Sequence, residues 1–187
     1  MQLEKKSIRE KLLNLRANLS ASTQDAAAQK ILPALEQHTF FNQAQHIAVY
    51  HAINNELDLS VVIKQIWQQN KQCYLPYIDG NDMAMQFAHY DKSTPLAKSK
   101  CNTIQPRYPS YINLEKLDLI LVPGVGFTQN GIRLGMGGGC YDKALAHLID
   151  KDVNLRPYLC GIAYSIQMQG RLPSDIHDVA MDKVIYI

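Results

Sequence analysis

A chain of 187 residues is the length of a single domain spanning 1–187, and 47% hydrophobic residues with both charge signs interspersed supply a packed core, which excludes disorder as the main state. A formal net charge of +2 is too small to argue for a nucleic-acid or membrane partner, so any anion must be bound locally. The start carries Glu4-Lys5-Lys6 instead of a secretory apolar region, no run approaches the roughly 20 apolar residues of a membrane span, and Cys73, Cys101, Cys140 and Cys160 lack C-x-x-C spacing; a cytoplasmic chain with reduced thiols is expected.

Leu3, Ile8, Leu12, Leu15 and Leu19 recur at helical spacing, with Lys5, Lys6, Arg9, Lys11 and Arg16 between them, and predict an amphipathic first helix with a basic exposed side. Ser22 followed by Asp25 resembles a capping box and predicts a second helix, which Pro33 should bend or divide. Residues 46–50 read as a strand, and Asp58 can cap a helix running through Ile63, Ile66 and Trp67. Residues 72–78 and 83–90 read as strands around the turn signal Asp79-Gly80-Asn81-Asp82 and suit a hairpin. The proline-containing stretch 91–110 reads mostly as loop. Residues 117–122 are the best buried strand, followed by a loop to about Gly139, a helix over 141–148, and strands at 159–163 and 184–187. Strands alternating with helices predict an α/β layered fold whose central sheet is mainly parallel and flanked by helices.

Chemistry concentrates between Val122 and Lys143, where seven of the chain's ten glycines fall. Glycine costs backbone entropy, so such clustering suits a chain that turns tightly or approaches a ligand closely. Successive amides there can form an anion-binding nest, and phosphate is the obvious ligand. Arg133 can donate bidentate bonds to a phosphoryl group, while Asp142 offers a hard oxygen suited to magnesium. Neither G-K-[ST] nor a G-x-G-x-x-G within residues 135–140 is present, and a plain glycine-rich surface loop is the alternative.

Taken whole, the run from Leu121-Val-Pro-Gly-Val-Gly-Phe to Arg133-Leu-Gly-Met-Gly-Gly-Gly-Cys-Tyr-Asp142 closely resembles the signature of the 5-formyltetrahydrofolate cyclo-ligase family, also called methenyltetrahydrofolate synthetases. Lys5-Lys-Ser-Ile-Arg9, Glu56-Leu-Asp58 and Leu172-Pro-Ser-Asp-Ile-His-Asp178 look like the same family. The resemblance implies a ligase that converts 5-formyltetrahydrofolate to 5,10-methenyltetrahydrofolate with ATP as co-substrate and Mg2+ as cofactor. It implies ATP contacts at Lys5, Arg9, Arg133, Leu134, Gly135, Met136, Gly137, Gly138, Gly139, Cys140 and Tyr141. Folate contacts are implied at His51, Glu56 and Met136 to Cys140, and metal contacts at Asp142 and Asp178.

Taken singly, several of these residues have a plainer reading. Lys5 and Arg9 share a helix face, which is otherwise a solvated basic face, and Lys6 can take the place of Lys5. Glu56 can accept hydrogen bonds from pterin N–H groups, or is a surface loop acid. His51 at a strand end is more often structural, and Asp178 alternatively caps a helix or pairs with His177. Cys140 stands where the family typically has tyrosine, and Met136 and Gly138 where some members carry basic residues, which shifts positive charge onto Arg133, Lys5 and Arg9.

The expected mechanism phosphorylates the formyl oxygen, giving an imidate-like phosphate that N10 displaces. It needs positioning and charge stabilisation, assigned to Arg133 and Asp142, and no nucleophilic side chain. A monomer is expected. The alternatives are a sugar-phosphate isomerase or transferase using the same anion site, and a nucleotide- or RNA-binding protein using the basic first helix.

Overall fold

The computed structural model describes residues 2–79, 85–99, 102–148, 152, 155–175 and 178–187. Its framework is a seven-stranded sheet built from β1 (His46–Ala48), β2 (Gln72–Ile78), β3 (Met85–His89), β6 (Tyr111–Ile112), β7 (Leu119–Pro123), β10 (Tyr158–Ala163) and β11 (Lys183–Tyr186). Their spatial order is β11-β10-β7-β1-β2-β3-β6. The pairs from β11 through β2 are parallel, and those joining β2 to β3 and β3 to β6 are antiparallel. A mainly parallel sheet is thus present, and the two strands expected to form a hairpin do pair, from Tyr74 opposite His89 to Ile78 opposite Met85. Gly80 to Asp82 of the expected turn, and Met83 and Cys101, lie outside the described residues.

The central strands are apolar on both faces because both are covered. In β7, Leu119 and Leu121 join the core that includes Ile31, Leu35, Val62 and Ile66, while Ile120 and Val122 join the core that includes Phe87, Phe127, Leu145 and Leu159. This period of two is the strand alternation acting on two hydrophobic layers. Each such side chain, taken from water, stabilises the fold by about 1.5–3 kcal/mol.

Helices α1 (Gln2–Ala17), α2 (Ala21–Glu36), α3 (Thr39–Gln43), α4 (Ser60–Gln68) and α5 (Cys140–Leu145) complete the frame, α5 being prolonged by a 3-10 turn at Ala146–Leu148. Three local expectations need correction. The cap of α2 is Ser20, not Ser22: its hydroxyl accepts the Thr23 amide at 3.1 Å. Pro33 lies inside α2 without dividing it. The stretch expected as loop holds two short strands, β4 (Leu96–Lys98) and β5 (Ile104–Pro106), paired antiparallel, with Pro106 closing the ladder opposite Leu96. At α4, Asp58 accepts both the amide and the hydroxyl of Ser60, as expected of a capping carboxylate.

The first helix also differs from its expected facing. Leu3 and Leu15 are exposed, whereas Arg16 is 1% exposed. The inward stripe is instead Lys5, Ile8, Arg9, Leu12 and Arg16, so the basic residues at those positions face the protein. Lys6 points outward and forms only a 3.9 Å pair with Glu10, and therefore does not take the place of Lys5. Among the described residues no helix is long and apolar enough to cross a membrane. Cys73 and Cys160 form no disulfide, and burial pushes both thiols up to about 12.

Candidate active site

Strand β7 ends at Pro123 and the chain turns into a small hairpin, β8 (Gly126–Phe127) with β9 (Arg133–Leu134), before the glycine run delivers it to α5. Phe127 anchors the hairpin: its ring is fully buried and fills the space a Cβ at Gly124 would need, 2.5 Å from that position. This fixes Arg133, opposite Phe127, at the mouth of the central strands. That location, beyond the carboxyl ends of parallel strands, is where open α/β sheets characteristically bind ligands.

A cavity of about 230 Å³ opens there. Its polar lining includes His51, Glu56, Arg133, Cys140, Tyr141 and Asp142, and backbone from Gly135, Met136, Gly138 and Gly139 also borders it. Ile53, Pro76, Ile78, Met85 and Ile104 supply an apolar wall suited to a flat aromatic group. Most of the residues expected to contact folate or nucleotide are thereby brought to one place.

Arg133 donates from Nη2 to Asp142 Oδ1 at 2.7 Å, and its guanidinium lies 5.4 Å from the centre of the Tyr141 ring. Its Nε is buried and has no hydrogen-bond partner among the described residues. Burial raises the Tyr141 pKa, and the nearby Glu56 charge adds to this against the opposing pull of Arg133, which keeps the phenol neutral.

The glycine run presents a row of backbone amides beside the cavity. Gly137 and Gly139 have φ of 104° and 65°, the left-handed region open to glycine. Among the described residues none accepts a hydrogen bond from the amides of Met136, Gly137, Gly138 or Gly139. Unpaired successive amides form the nest expected of a phosphate site. Because α5 has only six residues, its dipole adds less here than the neighbouring arginines do.

Other expected residues approach from α1 and the C-terminal segment and are not among those lining the cavity. Arg9 donates from Nε to the Gly135 carbonyl at 2.8 Å, and its guanidinium borders Gly137. Lys5 donates from Nζ to Asp175 Oδ2 and Asp178 Oδ2, each at 2.7 Å. Burial lowers the Lys5 pKa, but hydrogen bonds to the two aspartates and their charges outweigh it, leaving the value above 10.5. Leu134 is buried, so only its backbone is available to a ligand, and its carbonyl already accepts the Val125 amide at 2.7 Å.

Asp178 also accepts the Asp175 amide at 2.7 Å, and His177, its alternative partner, lies outside the described residues. Asp142 Oδ2 and Asp178 Oδ1 keep no hydrogen-bond partner among the described residues. No group of three or more His, Cys, Asp or Glu side chains capable of holding a metal occurs among the described residues. Asp142 lines the cavity and offers the hard oxygen that magnesium takes, whereas Asp178 is ion-paired to Lys5 and is not among the lining residues.

Glu56 Oε2 accepts the Ile53 amide at 3.2 Å. Burial pushes the Glu56 pKa up, opposed by that hydrogen bond and the charge of Arg16. His51 Nε2 lies 3.2 Å from the Tyr90 hydroxyl, and burial lowers its pKa, opposed by the charge of Asp58. Sequence reasoning missed Arg16 and Gln167, both buried against the Gly124 carbonyl at 3.1 and 2.8 Å. The spacing of Lys5, Arg9, Leu12 and Arg16, at intervals of four, three and four, is the signal that could have placed Arg16 inside.

The chain matches the 5-formyltetrahydrofolate cyclo-ligase family model over residues 1–187. A 5-formyltetrahydrofolate cyclo-ligase of Haemophilus influenzae is 31% identical over 189 residues, covering 97% of both chains. One from Mus musculus is 30% identical over 156 residues, covering 80% of this chain and 76% of its own. The NMR structure of Aquifex aeolicus 5,10-methenyltetrahydrofolate synthetase matches with a TM-score of 0.82 at 28% identity, covering 97% of this chain and 89% of that one. A 5,10-methenyltetrahydrofolate synthetase from Mycoplasma pneumoniae matches with a TM-score of 0.76 at 26% identity, covering 97% and 98%.

Proposed function

The chain belongs to the 5-formyltetrahydrofolate cyclo-ligase family, and from that premise we propose that its cavity holds 5-formyltetrahydrofolate beside ATP and produces 5,10-methenyltetrahydrofolate, ADP and phosphate. The observation that carries this reading is that Glu56 and the Arg133–Asp142 pair line one cavity whose edge is a run of unpaired amides. Family membership sets aside the sugar-phosphate and RNA-binding alternatives.

The amide-like formyl oxygen is a poor leaving group until it is phosphorylated. In the proposed sequence it attacks the γ-phosphorus and ADP departs. N10 then attacks the formyl carbon and loses its proton, and the original formyl oxygen leaves within phosphate. Arg133 and Arg9 offset the charge of the transferring group, and the amides of Met136 to Gly139 orient the polyphosphate. Asp142 and Asp178 would hold magnesium, which when bound supplies neutralisation of phosphate charge. Glu56 accepts pterin N–H groups, and the apolar wall stacks the ring and excludes water.

A labelled-oxygen experiment tests the chemistry. Substrate carrying heavy oxygen in its formyl group should pass that atom to the released phosphate. Unlabelled phosphate accompanying methenyl product would rule out attack by the formyl oxygen.

A further inference from the structure

The folate side of the cavity has a second layer, and Arg16 stands at its centre. Arg16 donates from Nε to the Asn54 carbonyl at 3.0 Å and from Nη1 to the Gly124 carbonyl at 3.1 Å. Asn54 and Gly124 both line the cavity, so one guanidinium from α1 ties two of its walls together. The Asn54 wall needs such a tie, because Asn54 and Asn55 are consecutive residues in the left-handed region, with φ of 49° and 58°. The Gly124 wall is fastened again by Gln167, whose Nε2 donates to the carbonyls of Gly124 and Val125 at 2.8 and 2.9 Å.

The third nitrogen of Arg16, Nη2, is buried and has no hydrogen-bond partner among the described residues. A guanidinium stripped of water with one nitrogen unsatisfied is costly to the fold, so packing alone is a poor account of it. Glu56 is the carboxylate in its field. The two form no pair within 4 Å, and among the described residues the Glu56 side chain is held by the Ile53 amide alone. The other titratable groups facing Glu56 are Tyr50 at the end of β1, Tyr141 in α5 and Tyr164 at the end of β10. All three are phenols kept neutral by burial, so Arg16 supplies the positive charge on that side.

We propose that Arg16 is a positioning residue for the folate half of the reaction: it locks the Asn54–Glu56 loop against the Gly124 turn and presents a fixed positive charge to the Glu56 carboxylate. The proposal rests on the reading of Glu56 as the acceptor of pterin N–H groups. It separates the three inward-facing basic residues of α1 by task. Lys5 and Arg9 serve the nucleotide side, and Arg16 acts through Glu56 on the other substrate.

The test compares Arg16→Met and Arg16→Lys in the full chain. A carbon-labelled Glu56 carboxyl is titrated in ligand-free protein, and equilibrium binding of 5-formyltetrahydrofolate and of a non-hydrolysable ATP analogue is measured separately. Arg16→Met should move the Glu56 midpoint upward by about one unit and weaken folate binding about tenfold at mildly acidic pH, the equivalence that one pKa unit sets. Nucleotide binding should change less than about twofold, a fraction of that same unit. Arg16→Lys keeps the charge but not the planar fork, so it should restore the midpoint while recovering folate affinity only in part. This variant carries the test if Arg16→Met does not fold, since it should then weaken folate binding several-fold and spare the nucleotide. An unmoved Glu56 midpoint in Arg16→Met overturns the proposal, as does equal loss of folate and nucleotide binding in Arg16→Lys. A moved midpoint with unchanged folate affinity instead overturns the assignment of Glu56 to the folate.

Discussion

Arg133 Nη2 lies 2.7 Å from Asp142 Oδ1, so the cation proposed for phosphate and the carboxylate proposed for metal hold one another. Both residues line the cavity, so the pair keeps each group at its wall. Arg133→Ala removes the cation and should lower kcat/KM by about a hundredfold or more. Asp142→Asn keeps the shape and should raise the Mg2+ concentration required for half-maximal velocity. Steady-state kinetics with Mg2+ as the varied component checks both, and circular dichroism checks that the fold is retained.

Lys5 links α1 to the C-terminal segment through two carboxylates. Its folded pKa lies above 10.5, so the stability it contributes is fully present below that value and is lost as pH rises through the folded pKa. Lys5→Met should therefore lower Tm at neutral pH by about 5 °C, the order expected for losing charged hydrogen bonds in a chain of this size. The gap between variant and wild type should close in thermal melts above the lysine range.

Glu56 shows a linkage of the same sign in a lower pH window. Its pKa is raised above 4.5 by burial, so its contribution to stability falls as pH rises through the window above that value, and the ionised form is held against a cost. Folate binding that needs the carboxylate should weaken on acidification, starting above the ordinary glutamate range. Glu56→Gln should weaken binding at neutral pH and flatten this acid limb. Binding isotherms across pH, without nucleotide, measure it.

The glycines divide by task. A Cβ on Gly131, at φ 81°, would stand 2.0 Å from the Met181 carbonyl oxygen, so Gly131→Ala should destabilise the protein by about 2 kcal/mol or more through a backbone clash. A Cβ on Gly139, at φ 65°, meets nothing within 4 Å. Gly139→Ala should therefore cost only the left-handed strain, about 1–2 kcal/mol, while raising the KM for ATP. Urea titrations beside nucleotide kinetics separate the two effects.

Cys140 opens α5 at the cavity edge, yet the proposed chemistry uses no nucleophile. Cys140→Ser should keep activity within about threefold of wild type, a difference of well under 1 kcal/mol.

Much of this was legible in the chain. The unbroken apolar run before Pro123 reads best as a buried strand, and β7 is covered on both faces. What remained hidden depended on facing and long-range pairing. Helical spacing aligns Arg16 with Leu12, but residue type argues against burial, because a basic residue beside apolar ones usually faces solvent. Only the carbonyls of Asn54 and Gly124, distant in sequence, make its burial tolerable. Ser20 and Ser22 are chemically equivalent caps, and α2 starts at Ala21, directly after the earlier one. The β4–β5 ribbon was obscured by prolines that end its strands or lie beyond them.

The central claim is that one cavity joins ATP to a formylated folate. Purified protein mixed with 5-formyltetrahydrofolate, ATP and Mg2+, with methenyl absorbance followed in time, measures this directly. The account requires absorbance to rise only when all three are present, with ADP formed in equal amount. Methenyl product without ATP, or ADP release that ignores the folate, would contradict it.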